Sequence, residues 1–343
     1  MTQSSYRVAI VGLGRMGSTI DDELPAGSPP YSVAAACQSS THLEIIAGAD
    51  TDIEKREAFE ERWGVHTLYE DHLEMMQREQ PDMVAICTRG HLHAEMAVET
   101  AQAGVPMIFC EKAIACSGRE NDSVLEAVQK HNNLFNTGVL RRFNRTFHQA
   151  KELIEQGEIG EPRRAIHYAA TNLLHGHIHS LDTLSFLLGD PKIVSVWGEL
   201  FPRDLSLAEN RLDQDPNGIY QVVFENGMEA TSIHAGGWEF EVIGTEGSLR
   251  VLNNGERVQL RKAGGARGRT FEEVSVPILP PHSTTQFCLE DLVAAHEDGR
   301  QTLGHVEVTH HLTEACLAVA ESHRVGKRVM LPLENKELYI FHR

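Results

Sequence analysis

The segment Gly12-Leu13-Gly14-Arg15-Met16-Gly17 constrains this chain more than any other, because it directly follows the apolar run Tyr6–Val11. In a G-x-G-x-x-G turn at a strand end, the first glycine permits the tight bend. The second lets backbone approach a pyrophosphate, and the third lets the next helix pack closely on the strand. The N–H groups opening that helix face the anion. A second apolar run, Glu44–Asp50, ends in a carboxylate suited to an adenine-ribose diol. It lies further from the glycines than the usual spacing of about 20 residues. The segment Asp21–Ser32 accounts for the excess: it puts Gly27 and three prolines where the first crossover helix would run. It reads as a solvated acidic loop, or as a lid over the nucleotide, with the helix resuming near Ser32–Gln38. Asp50, followed by Thr51 and Asp52 without a cation, favours NAD over NADP.

The rest of the first third keeps an α/β rhythm. Met83–Thr88, Val105–Cys110 and Leu134–Thr137 read as further strands. Helix-period segments lie between them: Ile53–Trp63 behind a Thr51-x-x-Glu54 capping box, then Asp71–Gln80, Leu92–Ala103 and Gly118–His131. Uniformly apolar strands alternating with helices predict a doubly wound parallel sheet covered on both faces. After about residue 137 strands follow one another: Arg163–Thr171, Ile193–Phe201, Ile219–Glu225, Met228–Ala235, Phe240–Ile243 and Ser248–Leu252, with a hairpin signal at Asn226-Gly227. This predicts a second α/β domain with a large open mixed sheet. Helices are expected at Thr285–Glu297 and His305–Arg324, and Gly264–Gly268 reads as a flexible turn. The expected division is 1–137 and 138–343, with the helix near 305–324 a candidate to pack back on the first domain.

Charge and cysteine usage exclude several classes. Lys+Arg 31 against Asp+Glu 49 leaves a net charge of −18, a poor match to nucleic acid or an anionic membrane. No apolar run approaches the roughly 20 residues of a membrane span, and the N-terminus lacks the pattern of a signal peptide. Six cysteines without a CxxC pair read as reduced, buried thiols of a cytoplasmic protein.

Two further constellations carry chemistry. Glu111-Lys112 follows the strand Val105–Cys110, on the edge where doubly wound sheets bind ligands. A lysine there polarises or deprotonates a substrate hydroxyl; a surface ion pair is the plain alternative. In His175-Gly176-His177-Ile178-His179-Ser180-Leu181-Asp182, His179 and Asp182 are three apart and share a helical face. A carboxylate beside an imidazole fixes its tautomer and raises its pKa, as a proton shuttle requires. The His-x-His-x-His tract also admits a metal reading, but only on extended backbone, so no metal is expected. His310-His311 and Trp238 read as packing or surface.

Taken in order, these residues resemble the glucose–fructose oxidoreductase / inositol dehydrogenase (Gfo/Idh/MocA) family. The resemblance joins Gly12–Gly17, Asp50, Cys87-Thr88 with His93-Ala94-Glu95, Glu111-Lys112-Ala113 and Arg141-Arg142-Phe143-Asn144 to four later motifs. Those are Ile159-Gly160-Glu161-Pro162, His179-x-x-Asp182, Gly244-Thr245-Glu246-Gly247 and Gly326-Lys327-Arg328-Val329. It implies a Rossmann domain, an open-sheet domain often used for oligomerisation, and a nicotinamide cofactor. It also implies hydride transfer at a secondary carbinol of a sugar, cyclitol or related polyol. Gly12, Gly14, Arg15, Met16, Asp50, Thr88, His93 and Glu111 then fall to the cofactor, Lys112, His179 and His175 to catalysis, and Arg89, Arg141, Asn172 and Asp182 to substrate.

Four departures set the chain apart: Ala113 and Arg89 where the family carries prolines, His175 where inositol dehydrogenases place an aspartate, and the loop at 21–32. Three other functions stay open: glycoside cleavage by transient oxidation with retained NAD, where His175 or His177 expels the leaving group; a metal-dependent lyase or hydrolase using His175, His177 and His179; and nucleotide sensing without turnover. A homodimer or homotetramer is expected through the second sheet, since a large bare apolar face is unstable in water.

Overall fold

The computed structural model describes residues 5–264 and 270–343. The chain divides into two compact units: Met1–Leu140 with Pro281–His310 and His342–Arg343, and Arg141–Pro280 with His311–Phe341. The chain thus returns to its first unit twice, which a single boundary at 137/138 does not capture. Only the opening residues of the helix Val306–Val325 belong to the first unit.

In the first unit, strands β1 (Tyr6–Val11), β2 (Leu43–Ala49), β3 (Leu68–Tyr69), β4 (Met83–Ile86), β5 (Met107–Cys110) and β6 (Leu134–Thr137) form one sheet. Its order is β3-β2-β1-β4-β5-β6, and every neighbouring pair is parallel. β4 and β5 are buried along their whole length, as strands covered on both faces must be. The two-residue β3 is too short to leave a period in the sequence. The helix Thr284–Asp298 packs against β5, β6 and the helix Val33–Ser39. Asn136 on β6 anchors it, its amide donating to the Cys288 carbonyl at 3.0 Å and to Asp291 Oδ2 at 3.1 Å.

One local expectation shifts. The Ile53–Trp63 helix is capped by Asp52, whose Oδ1 accepts from the Glu54 N–H at 3.0 Å, and not by a box on Thr51. The Asp21–Ser32 loop is solvated as expected, with Asp22, Glu23 and residues 25–28 exposed, and it is also clasped at its ends. Asp21 accepts from the Tyr31 and Ser32 N–H groups at 2.7 and 3.1 Å, and the Pro30 and Tyr31 carbonyls accept from Ser283 and Thr285.

In the second unit, β7 (Pro162–Ala169), β8 (Ile193–Phe201), β9 (Arg211–Leu212), β10 (Asn217–Phe224), β11 (Glu229–Ile233), β12 (Gly237–Gly244), β13 (Gly247–Leu252), β14 (Arg257–Gly264), β15 (Thr270–Val274), β16 (Val329–Met330) and β17 (Tyr339–Ile340) follow. Nine of them form a mixed sheet in the order β15-β14-β13-β12-β7-β11-β10-β8-β16, in which β7 and β11 are parallel. The Asn226-Gly227 hairpin joins β10 to β11, with Gly227 at φ +80°. On β10, Tyr220, Val222 and Phe224 are buried while Gln221 and Val223 are half-exposed, the alternation of a sheet with one packed face. The charged strands β14 and β15 and the helix Arg145–Glu155 go beyond the sequence reading. The turn at Gly264–Gly268 lies, from residue 265 on, outside the described residues. No described helix is long and apolar enough to cross a membrane.

Candidate active site

In the first unit the sheet order reverses between β1 and β4, so a crevice opens at the carboxyl ends of those strands. Gly12 turns there with φ +88°, and a Cβ on it would lie 2.8 Å from the backbone of Cys87 and Thr88. A Cβ on Gly17 would lie 2.1 Å from the Gly12 carbonyl oxygen. On Gly14 it would meet nothing nearer than the Lys55 side chain at 4.0 Å, leaving the open cradle a pyrophosphate needs. The residues therefore fit a dinucleotide. One expectation changes: no regular α-helix follows. Arg15–Thr19 is a π-helical turn and Ile20–Glu23 a 3₁₀ turn. Arg15 is drawn outward into a two-point pair with Glu23 at 2.6 and 2.7 Å, and Met16 is half-buried.

Asp50 stands at the end of β2, facing the same turn: its Oδ2 accepts from the Leu13 N–H at 2.9 Å and its Oδ1 from the Asp52 N–H at 3.0 Å. The sequence neighbours Thr51 and Asp52 offer no cation, but space does. Lys55 Nζ lies 3.6 Å from Asp50 Oδ1 and 3.8 Å from Asp52 Oδ2, and Arg56 donates to the Asp50 carbonyl. The expectation that no cation stands near Asp50 is therefore corrected.

Thr88, Arg89, Glu111 and Lys112 all follow β4 or β5 at this sheet edge. Arg89 is exposed, and the peptide between Lys112 and Ala113 is cis. His93, expected at the cofactor, is turned into the protein. It is buried, and its Nδ1 and Nε2 meet the Ala113 and Thr88 carbonyl oxygens at 2.8 and 3.1 Å. It ties the loop after β4 to the loop after β5. Burial holds its pKa down at about 4, although both carbonyls favour the protonated ring. Glu111 is turned inward: its carboxylate would touch a Cβ on Gly138 at 2.5 Å, and burial raises its pKa against the pull of Lys112. His342 packs against Gly90, where a Cβ would stand 2.0 Å from its ring. All six cysteines are buried and unbridged.

In the second unit the histidine tract is helical, a π turn over Leu173–His177 leading into the helix Ile178–Leu187. Histidines two apart therefore diverge: His175 is exposed, His177 buried, His179 half-buried. His177 is fully engaged, with Nε2 2.8 Å from the Gly218 carbonyl and Nδ1 3.1 Å from Ser180 Oγ, and burial lowers its pKa to about 4. It is no leaving-group acid. Among the described residues no group of three His, Cys, Asp or Glu side chains could hold a metal ion.

Asp182 is turned toward Arg142. It is 2% exposed, and its Oδ1 accepts from Arg142 Nε at 3.0 Å and Nη2 at 2.8 Å. Arg142 also holds Asp190. Asn172 caps the π turn, its side-chain amide donating to the Asp215 carbonyl at 2.6 Å. Asp215 in turn accepts from the Leu174 and His175 N–H groups at 3.0 and 2.7 Å.

One ring partner of His179, which the sequence pattern does not reveal, is Trp238. The two rings stand edge to face with centroids 6.4 Å apart, and the Arg141 guanidinium lies 4.6 Å over the indole. Beside the indole is buried His167, 5.0 Å away, whose pKa burial pushes down to about 2. The available signal was Gly236-Gly237 before the tryptophan, a pattern that marks a strand bulge.

Residues 6–139 match the family model GFO_IDH_MocA, described as an oxidoreductase family with an NAD-binding Rossmann fold. Residues 6–139 thus carry the NAD-binding Rossmann unit of the Gfo/Idh/MocA family of oxidoreductases. The scyllo-inositol 2-dehydrogenase (NAD(+)) of Bacillus subtilis is 26% identical over 311 residues, 84% of this chain and 84% of that one. The inositol 2-dehydrogenase of Salmonella typhimurium is 28% identical over 223 residues, 61% of this chain and 62% of that one. Three other alignments span 42–67% of the relatives' lengths. The fold is shared with the aldose-aldose oxidoreductase of Caulobacter crescentus, with a TM-score of 0.78 at 18% identity, covering 95% of this chain and 100% of that one.

Proposed function

We propose that this protein is a Gfo/Idh/MocA-type NAD-dependent dehydrogenase acting on a secondary carbinol of a sugar, cyclitol or related polyol. The observation that carries the reading is the convergence at one sheet edge of the open Gly14 cradle, Asp50 and the Lys112 loop that His93 braces. When bound, the nicotinamide would supply the hydride acceptor. The chain's own part is to move the proton and stabilise charge. His179 takes the carbinol proton, and Lys112 stabilises the alkoxide that forms as hydride leaves carbon. The products are a carbonyl compound, NADH and one proton. Asp50 favours NAD by repelling a 2′-phosphate. His175, exposed four residues before His179, and Arg89 and Arg141 are proposed to contact the substrate. The second sheet is proposed to pair with further copies.

The glycoside-cleaving alternative loses His177, which is buried and satisfied, and keeps only the exposed His175 as its leaving-group residue. The test is Lys112→Ala. Turnover of polyols with NAD should fall at least about 100-fold while nucleotide affinity stays within about twofold. Full activity in that variant would remove the assignment. Nucleotide released from the denatured protein and identified by chromatography checks NAD against NADP.

A further inference from the structure

Trp238 sits where a tryptophan is costly to place. Its φ of +52° is an outlier for a bulky residue. It is the extra residue of a bulge, since Gly237 pairs with Ala169 and Glu239 with Tyr168, leaving Trp238 between them. Bulges re-aim side chains, and strain of this kind persists where surrounding structure enforces it, often at functional sites. Here the enforcement is visible. Asn254, in a turn where both Asn253 and Asn254 have positive φ, donates its N–H to the Trp238 carbonyl at 3.0 Å. Its Oδ1 accepts from Arg141 Nε at 2.8 Å. One residue thus holds both the strained backbone of Trp238 and the guanidinium stacked on its indole.

The result is a partly exposed aromatic wall beside His179. The indole N–H has no acceptor among the described residues, and buried His167 packs against the ring from within the unit. An aromatic surface next to a few fixed polar groups is how proteins hold a ring that is apolar on its faces and hydroxylated at its rim.

We propose that Trp238 is the stacking wall of the substrate site and sets a preference for ring polyols over open-chain ones. The C–H face of the substrate ring lies on the indole. The indole N–H and the Arg141 guanidinium read hydroxyls at the ring edge, and the carbinol is presented to His179. This rests on the proposed function for the role of His179, but the wall itself can be tested without turnover.

Trp63→Phe and Trp197→Phe together leave Trp238 as the chain's single tryptophan. Its emission is titrated with myo-inositol, methyl β-glucopyranoside and mannitol. A saturable change with either ring compound and none with mannitol is expected. In the otherwise native chain, Trp238→Ala should raise KM for the ring compound about tenfold, the scale of one buried ring face. Trp238→Phe, which keeps an aromatic face on the same backbone, should stay within about threefold, and KM for NAD should not move in either variant. No saturable emission change, or an equal change with mannitol, overturns the proposal. An unchanged KM in Trp238→Ala does the same. A ring-specific emission change without any NAD reduction by the native protein would instead sink the dehydrogenase reading and leave the wall standing.

Discussion

Asp182→Asn separates two accounts of one carboxylate. If Asp182 orients His179, removing its charge disturbs proton transfer. In the structure it faces Arg142, and burial sets its energetics: its pKa is raised from 3.8 to about 6, because desolvation outweighs the attraction of Arg142. The native state therefore holds this proton more tightly than the unfolded chain. The stability linked to it is fully present below pH 4 and is lost as pH rises through about 6. A shift of about two units corresponds to roughly 3 kcal/mol at pH 7. Asparagine keeps an oxygen for Arg142 and carries no charge, while Asp190 still neutralises the guanidinium. The variant should be more stable than the native protein at pH 7, by up to about 3 kcal/mol, and the gain should vanish toward pH 4. Urea denaturation in a Trp63→Phe background, which leaves only the second-unit tryptophans 197 and 238, followed by fluorescence at several pH values, measures this. The pH profile of turnover should not change. A loss of more than about 1 kcal/mol at pH 7 would refute the reasoning, since it would make the carboxylate a net holder of the fold.

Three other perturbations follow from the same contacts. Arg142→Met strands two carboxylates and should cost about 3–5 kcal/mol in urea denaturation at pH 7, with the deficit shrinking at pH 5 as Asp182 takes up its proton. Gly17→Ala drives a Cβ to 2.1 Å from the Gly12 carbonyl oxygen; it should cost about 1–3 kcal/mol and weaken NAD binding at least about tenfold by calorimetry. His93 has a folded pKa near 4 against 6.5. The stability it gives is present above pH 6.5 and lost as pH falls through about 4, roughly 3 kcal/mol in all. His93→Gln should be less acid-sensitive than the native protein in thermal melts over that range.

The first unit was largely legible in the sequence because its signals are local. Parallel strands buried on both faces leave uninterrupted apolar runs, and a glycine whose Cβ would strike backbone cannot be replaced by other residues. Ile53–Trp63, Gly118–His131 and Leu134–Thr137 carry the bounds expected of them. What failed depended on distance in sequence. Asp182 is three residues from His179 but bonded to Arg142, 40 positions away. Periodicity assigns both to one helical face without saying which neighbour wins. Lys55 reaches Asp50 only because a helix turn brings it back. Trp238 was passed over because a lone aromatic at a strand start carries no period. β14 and β15 bear charges on many positions and so lack the apolar pattern that marked their neighbours.

The discontinuity of the first unit has a consequence for how the chain is made. When residue 140 has been synthesised, all six strands of the parallel sheet exist, but the helix Thr284–Asp298 that covers β5 and β6 does not. The unit's second stretch ends at residue 310, so 310 − 140 = 170 residues must still be added. At about 5–20 residues per second that is a wait of roughly 10–30 s. Throughout it one flank of the nascent sheet lacks its cover while the whole of the other unit's first stretch emerges. The apolar flank of β5 and β6 is thus exposed during synthesis, where transiently bare apolar surface favours aggregation.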